Sequence, residues 1–183
     1  CDPNNKKNYR TRCSALISFN KKNILIDTSP DLRHQLLSKK ITTIDDVLFT
    51  HFHADQTHGI NDLRVFYLKK KKKINVYSDK LTAEYLLKNF SYCFVKNYDY
   101  PAILNLKPLK KKFTLGNVGK KINIRTVKVK HGLIDSIAYI INSKIAYISD
   151  ANDLYKKNYI HFIGLKYLII DCLRFNKHPS HFN

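Results

Sequence analysis

The sequence predicts a mixed α/β fold in which several strands end at one polar site. The first observation is a set of short apolar, β-branched runs, which are typical of strands. The second is that each run ends abruptly at an aspartate or a histidine: NILID at Asp27, DVLFT before His51, IRTVKVK before His131, KIAYIS before Asp150 and KYLIID at Asp171. Because binding sites in layered α/β folds lie at strand ends, we expect these side chains to meet.

The third observation is that amphipathic segments separate these runs. Residues 29–40, SPDLRHQLLSKK, begin with a Ser-Pro-Asp helix start and carry apolar residues at helical spacing. Residues 59–70, GINDLRVFYLKK, and residues 78–90, SDKLTAEYLLKNF, are similar. In the segment INSKIAY, the pair Asn142-Ser143 predicts the turn of a β-hairpin. Helices therefore alternate with strands, and some connections are antiparallel.

The size and composition indicate one folded domain spanning residues 1–183. Hydrophobic residues make up 44% of the chain and charged residues 26%, which excludes a disordered chain. No apolar stretch approaches the roughly 20 residues of a membrane-spanning helix. The polar segment CDPNNKKNYRTRC lacks the apolar core of a signal peptide. We therefore expect a cytoplasmic protein with no membrane partner.

The cysteines and the net charge are less specific. Cys1, Cys13, Cys93 and Cys172 form no C-x-x-C pair, so we expect reduced thiols rather than disulfides or a four-cysteine zinc site. Cys172 lies in the apolar run YLIIDCL, which predicts a small buried side chain. The net charge of +19 suits an anionic substrate or a nucleic acid. Lysine far outnumbers arginine, however, as drift in an AT-rich genome would also produce, so the charge alone does not decide the function.

One short segment carries the strongest chemical signal. LFTHFHADQTHGINDL places His51, His53 and Asp55 at alternate positions directly after an apolar run. Alternate residues of an extended segment project to the same side, so the two imidazoles can share one ion and Asp55 can add an oxygen ligand. Imidazole with carboxylate suits zinc, iron or manganese. With His131 and Asp150 at other strand ends, the pattern favours a metal site over isolated surface histidines.

THFHADQTHG resembles the H-x-H-x-D-H signature of the metallo-β-lactamase fold superfamily. The rest of the chain resembles one branch of that superfamily, the PhnP-like hydrolases, which are similar to phosphoribosyl cyclic phosphodiesterases and more distantly to tRNA 3′-processing endonucleases. The stretches that carry this resemblance are CDPNNKKNYRTRCSALI, ILIDTSPDLR, THGINDLR, VKHG, YISDAN and HPSHF.

The resemblance implies a four-layer αββα sandwich that is incomplete at its N- and C-terminal edges. The family's first strand and Gly-rich loop should precede Cys1, and a last ligand histidine should follow Asn183. We therefore expect a fragment of a longer protein, with apolar surface and open sheet edges exposed and with lower stability than a complete domain.

Carried over by position, the resemblance implies a centre for two ions, Zn²⁺ or Mn²⁺. The ligands of the first ion would be His51, His53 and His131. Asp150 would bridge the two ions, and Asp55 would bind the second. The family's next ligand is a histidine after Asp55, but this sequence has Gln56, whose neutral amide is a much weaker ligand for a transition metal. The second site would then keep only Asp55 and the shared Asp150.

The same resemblance implies roles for neighbouring groups. His181 matches the family's candidate general acid, with His178 as the other candidate, and Asp55 would also belong to the catalytic groups. We interpret His58, Asp27 and Asp171 as partners that orient the ligating imidazoles. For the two aspartates, a turn at a strand end is an equally good interpretation.

The resemblance implies a metal-dependent hydrolase, most specifically a phosphodiesterase acting on a small, cyclic nucleotide or ribose phosphodiester through hydroxide from metal-activated water. RNA is a less favoured substrate, because the long arm by which tRNA-processing relatives grip tRNA is not evident, and a homodimer is also open. Two alternatives remain. One is hydrolysis of a thioester or lactone, since metal ions also polarise a carbonyl. The other is a degenerate member that acts as a binding protein or has no function, as Gln56 and the missing edges suggest.

Overall fold

Two β-sheets and the helices packed on one of them make up the residues that the computed structural model describes, 2–97, 100–117 and 119–183. The first sheet contains, in spatial order, β1 (Ala15–Phe19), β2 (Lys22–Ile26), β3 (Asp46–Leu48), β4 (Ile74–Ser78) and β5 (Leu104–Pro108). The path of the second sheet contains β10 (Asp153–Leu154), β7 (Lys120–His131), β8 (Ile134–Ile141), β9 (Ile145–Ile148) and β11 (Tyr167–Ile170), and β6 (Lys112–Asn117) pairs with β7.

The helices are short. They are α1 (Leu32–Ser38), α2 (Ala54–Thr57), α3 (Arg64–Lys70), α4 (Lys80–Asn89) and α5 (Ser91–Phe94), with 3₁₀ turns at Lys6–Asn8, Ile60–Leu63 and Lys156–Phe162. The three predicted helical segments correspond to α1, to the second 3₁₀ turn continued by α3, and to α4, so these predictions are confirmed. Within the described part of the chain, no helix combines the length and the apolar character needed to cross a membrane.

All the strands predicted from the apolar runs are present, as β2, β3, β7, β9 and β11. The predicted hairpin joins β8 to β9: Asn142 and Ser143 have φ values of 50° and 54°, and Lys144 N–H donates to Ile141 O at 3.0 Å. The expected mixed α/β fold with two sheets is therefore confirmed.

The sheet topology brings the ends of these strands to one edge. β2, β3 and β4 are parallel, so their carboxyl ends lie together. In the second sheet β8 runs antiparallel to both β7 and β9, and β11 runs parallel to β9, so β7, β9 and β11 also end together. Three hydrogen bonds among the described contacts link the sheets beside this edge: Ile137 N–H donates to Thr50 O at 3.0 Å, Tyr139 OH donates to Phe49 O at 2.6 Å, and Ser149 Oγ donates to Thr50 Oγ1 at 3.2 Å.

Alternation along β2 separates the two main cores. Ile24 and Ile26 pack against Ile137 and Tyr139 of the second sheet, whereas Leu25 faces the helices. A strand at the centre of a layered fold is apolar on both faces for this reason, which explains why the run NILID was recognisable. The sequence did not reveal β1, β4, β5, β6 and β10. These strands are at sheet edges or alternate between buried and half-buried residues, so polar residues interrupt their apolar runs.

The other face of the second sheet is only partly covered. Ile140 and Ile148 pack with Phe162 and Leu165, but the side chains of β11 are 39–55% exposed. The prediction that Cys172 is buried is wrong, because this residue follows the exposed edge strand β11. Cys13, Cys93 and Cys172 are free thiols, as predicted, and Cys1 lies outside the described residues.

Gly59 fixes the distance between the two loops that follow β2 and α2. A Cβ on this residue would lie 1.9 Å from Ser29 O and 2.9 Å from Leu32 Cβ. Since the first atom belongs to the backbone, rotation of a side chain cannot relieve the clash. We expect Gly59→Ala to lower the free energy of unfolding by about 2 kcal/mol in urea denaturation.

The matched control is Gly164→Ala, because Gly164 has φ 73° and no heavy atom within 4 Å of an added Cβ. Its cost is that of backbone conformation alone, about 1 kcal/mol. If the control destabilised the protein as much as Gly59→Ala, the close contact between the two loops would not be important.

Candidate metal centre

Three histidines from two sheets turn one nitrogen each toward a common point. His51 follows β3, His53 is the residue before α2, and His131 ends β7. His53 Nδ1 lies 3.0 Å from His51 Nε2 and 3.2 Å from His131 Nε2. These three ligand atoms all lie within 4.8 Å of one another, although the residues are up to 80 positions apart in the chain.

The hydrogen bonds on the far side of two rings fix which nitrogen carries the proton. Ser180 O, which can only accept, lies 2.7 Å from His131 Nδ1, so this nitrogen donates. Thr50 Oγ1 donates to Asp27 Oδ2 at 2.9 Å and therefore accepts from His51 Nδ1 at 3.0 Å. Both Nε2 atoms consequently present lone pairs to the common point, as a metal ligand requires.

Burial keeps the imidazoles of His51 and His131 neutral. Desolvation is the main cause that lowers the pKa of His51 to about 2, and the neighbouring histidines lower it further. Burial also lowers the pKa of His131, against the opposing effect of its hydrogen bond to Ser180. His53 Nδ1 lies 3.0 Å and 3.2 Å from two nitrogens that both present lone pairs, and it can donate a hydrogen to only one of them at a time. A cation at the common point would relieve this unfavourable arrangement.

Asp150, two residues after β9, brings a carboxylate beside two of these nitrogens. Its Oδ2 lies 3.3 Å from His51 Nε2 and 4.0 Å from His131 Nε2. Ligand atoms at 2.0–2.1 Å from a tetrahedral ion are separated by about 3.3 Å, and three of the separations here, 3.0, 3.2 and 3.3 Å, are close to that value, so these side chains can hold a divalent metal ion. Burial, followed by the nearby charge of Asp55, raises the pKa of Asp150 to about 7, which is the effect that a bound cation would oppose.

Gln56 occupies the position at which the resemblance implies a second-metal histidine. Its fully buried side chain donates from Nε2 to Asp55 Oδ2 at 2.9 Å and to Asp150 Oδ2 at 3.2 Å. Cys13 Sγ lies 3.4 Å from Gln56 Nε2 and 3.6 Å from Gln56 Oε1, and desolvation of the sulfur raises the pKa of this thiol to about 11. These residues form a hydrogen-bonded network and do not fit a second ion in the implied place.

His181 forms a pair with Asp171 beside Asp150. His181 Nδ1 lies 2.6 Å from Asp171 Oδ2 and 4.0 Å from Asp150 Oδ1. Their donor atoms, with one from Asp150, also lie within 4.8 Å of one another. Asp171 therefore contacts His181 rather than an imidazole of the three-histidine group, which differs from the role expected for it. This pairing leaves His181 Nε2 for other contacts.

Asp27 contacts Thr50 and not an imidazole directly, so it is one residue further from the centre than the sequence suggested. It is completely buried and accepts from Thr50 N–H at 2.8 Å and from Thr50 Oγ1 at 2.9 Å. Burial raises the pKa of Asp27 well above its usual value, and the two hydrogen bonds from Thr50 oppose this shift. Thr50 in turn positions His51, so Asp27 orients a ligand through a threonine.

Two candidate histidines lie outside the cluster. His58 is exposed, and its Nε2 lies 3.1 Å from Tyr85 OH, so the structure does not bring it to the ligands that it was expected to orient. His178 has its ring 4.9 Å from that of His181, and its Nδ1 lies 3.3 Å from Ser180 N. His181 lies beside both aspartates and His178 contacts neither among the described contacts, so of these two histidines His181 lies nearer the carboxylates of the centre.

Sequence reasoning missed Thr50, Ser180 and Cys13. Thr50 precedes the first ligand histidine directly, and a hydroxyl at that position was the available signal. Ser180 acts through its backbone carbonyl, and Cys13 reaches the site only through the fold, so no residue type revealed them.

Comparisons with known proteins identify the family of this chain. The family described as "Beta-lactamase superfamily domain" matches residues 22–183. A curated protein of Porphyromonas gingivalis named octanoyltransferase is 31% identical over 183 residues, which are 99% of this chain and 36% of that protein. The chain thus spans about a third of the length of that relative.

Solved structures show the same fold. A diphosphatase of the PhnP family is 28% identical with a TM-score of 0.83, over 95% of this chain and 65% of its own. The short form of human tRNase Z is 14% identical with a TM-score of 0.68, over 95% of this chain and 78% of its own, which shows the fold alone. The family match covers most of the sequence and includes the histidine cluster, so the chain belongs to the β-lactamase superfamily domain family.

Proposed function

We propose that this chain is a metal-dependent hydrolase that acts on small phosphodiesters, with Zn²⁺ or Mn²⁺ as its cofactor. The observation that carries the proposal is the convergence of one nitrogen each from His51, His53 and His131 with Asp150 Oδ2. A divalent ion held by these four groups would lower the pKa of a water molecule and polarise a phosphoryl oxygen.

The residues around the donor set supply orientation and a proton. Thr50 and Ser180 hold two imidazoles in the tautomer that keeps Nε2 free of hydrogen. His181 is held by Asp171 through Nδ1, so its Nε2 is the atom that would protonate the leaving alkoxide. Asp171 fixes the orientation of that ring.

Two observations support a small anionic substrate over RNA. The structural neighbour at 28% identity is a diphosphatase. A cleft of about 800 Å³ beside Gly132 carries Lys128 and Lys130, but Asp135 and Asp153 pair with these lysines at 2.9 Å. Acids alternating with lysines make a mixed surface, which suits a single phosphate group better than a long polyanion.

The test is hydrolysis of a chromogenic phosphodiester and of a cyclic ribose phosphate by zinc- and manganese-loaded protein. We expect turnover that falls at least about 100-fold in a chelator and returns when metal is restored, because several kcal/mol of stabilisation depend on the ion. Metal binding with no turnover of any ester would contradict the proposal and favour the degenerate binding protein.

Acyl-ester or thioester hydrolysis is the second candidate, and the octanoyltransferase name of a 31% identical protein favours it. The chain covers only 36% of that protein, so the named activity applies to a much longer molecule. An octanoyl thioester in the same assay separates the candidates: metal-dependent release of thiol without diester cleavage would replace the first proposal by the second.

Location and assembly are also proposals. The free thiols of Cys13, Cys93 and Cys172 support a reducing compartment such as the cytoplasm. The exposed apolar side chains of β11 support association with a second copy. Light scattering of the purified chain would give the mass of a dimer if this is correct and that of a monomer if it is not.

A further inference from the structure

Gln56 lies between the two carboxylates that a second metal ion of this centre would need. Its side chain is completely buried. The amide nitrogen donates to Asp55 Oδ2 at 2.9 Å and to Asp150 Oδ2 at 3.2 Å. Asp55 lies in α2, which follows β3 of the first sheet, and Asp150 lies after β9 of the second sheet, so the amide bridges two distant parts of the chain.

The orientation of this amide follows from its neighbours. Carboxylate oxygens accept hydrogen bonds, so the NH₂ group must face both aspartates, and its two hydrogens serve one carboxylate each. Cys13 Sγ lies 3.4 Å from the amide nitrogen and 3.6 Å from the carbonyl oxygen, and since both amide hydrogens serve carboxylates, the thiol donates to the oxygen. Backbone contacts hold the residue in place, since Gln56 O accepts from Thr28 N–H at 2.7 Å and Gln56 N–H donates to His53 O at 3.0 Å.

A different place for a second ion, between Asp150, Asp171 and His181, is less suitable. His181 Nδ1 faces both carboxylates there and lies 2.6 Å from Asp171 Oδ2, the distance of a charge-assisted hydrogen bond. A nitrogen that donates its hydrogen to Asp171 has no lone pair for an ion.

We propose that the Gln56 amide takes the place of a second metal ion, so that the centre binds one divalent ion per chain. Two carboxylates that approach one another repel unless a cation or a pair of donors lies between them. The amide supplies those donors without a charge. This inference rests on the proposed metal-dependent function of the same site and makes Gln56 a positioning residue for Asp150.

The experiment counts bound ions. Equilibrium dialysis of the purified chain against Zn²⁺, and separately against Mn²⁺, is followed by elemental analysis. The variant Gln56→Glu replaces the donor pair with a third carboxylate beside Asp55 and Asp150, which creates a set of oxygen ligands suited to Mn²⁺. Gln35→Glu is the matched control, since Gln35 contacts Ser29, Thr11 and Arg12 and no residue of the centre.

We expect one equivalent in the wild type and in Gln35→Glu, and two in Gln56→Glu. Added Mn²⁺ should also raise the melting temperature of zinc-loaded Gln56→Glu by about 5–10 °C at saturation and leave the zinc-loaded wild type unchanged. If Gln56→Glu does not fold without metal, Gln56→His provides the same count, with two equivalents expected.

The outcomes separate this inference from the proposed function. Two equivalents in the wild type would overturn the inference and leave the metal-dependent hydrolase standing. One equivalent in the wild type and in both Gln56 variants would also overturn it, because something other than Gln56 would then exclude the second ion. No bound metal in the wild type would overturn the proposed function, and the inference with it.

Discussion

Replacing His53 with alanine should lower the kcat/KM for phosphodiester hydrolysis by at least about 10³-fold and reduce bound metal below one equivalent per chain. Loss of one preorganised electrostatic contact already costs about 10²–10³-fold, and this variant removes the nitrogen that lies between the other two. His53 Nδ1 is 3.0 Å from His51 Nε2 and 3.2 Å from His131 Nε2, and its ring makes no other hydrogen bond among the described contacts.

Because His53 is only half-buried, the metal-free variant should keep its free energy of unfolding within about 0.5 kcal/mol of the wild type. This separates loss of metal from loss of fold in a urea titration with chelator present. The matched control is His58→Ala, which removes an exposed imidazole that contacts Tyr85. A full equivalent of tightly bound metal in His53→Ala would show that this histidine is not a ligand.

Replacing Asp27 with alanine should lower the free energy of unfolding of the metal-free chain by about 3 kcal/mol. The change leaves Thr50 N–H without its acceptor in the protein interior and places alanine at a φ of 61°, where a side chain is strained. Metal affinity should fall about 10–100-fold as well, because Thr50 would no longer be held to orient His51. Urea denaturation and competition with a zinc chelator measure the two effects.

Asp27→Asn separates the two effects, since asparagine has nearly the same shape and tolerates a positive φ. Its oxygen can still accept from Thr50 N–H, so we expect a loss of only about 1 kcal/mol. Its NH₂ group would donate to Thr50 Oγ1, which would then donate to His51 Nδ1 and place the hydrogen on Nε2. Metal affinity should therefore fall about 10-fold or more with little loss of stability. Unchanged affinity in Asp27→Asn would mean that Thr50 does not set the tautomer of His51.

Part of the fold was predictable because β2, β3 and β9 are largely buried on both faces, and because buried and exposed residues alternate along β7. A strand such as β2, with Ile24 and Ile26 on one core and Leu25 on the other, must be apolar at consecutive positions. Edge and half-buried strands such as β4 and β5 carry polar residues at alternate positions, so they gave no comparable run. The prediction that Cys172 is buried was wrong because, in the sequence, an apolar run at an exposed edge is indistinguishable from a buried one.

The candidate ligands were also visible in the sequence, because each follows a strand and because His51, His53 and Asp55 alternate. Their chemistry depends on residue type, which the chain alone determines: three imidazoles and a carboxylate suit a divalent ion wherever they meet.

The tertiary structure alone decided which atoms are in contact and which imidazole nitrogens carry a hydrogen. Only the packing of the two sheets places Gln56 against Asp150, 94 positions away, and Ser180 O against His131. Neither a motif nor a spacing in the sequence could therefore predict the bridging amide or the tautomer of His131. The structure also shows that Asp171 contacts His181 and that His58 contacts Tyr85, outside the site. The physical reason is that a hydrogen bond requires atoms within about 3 Å and correct donor orientation, and residues distant in sequence reach that precision only when the whole core is packed.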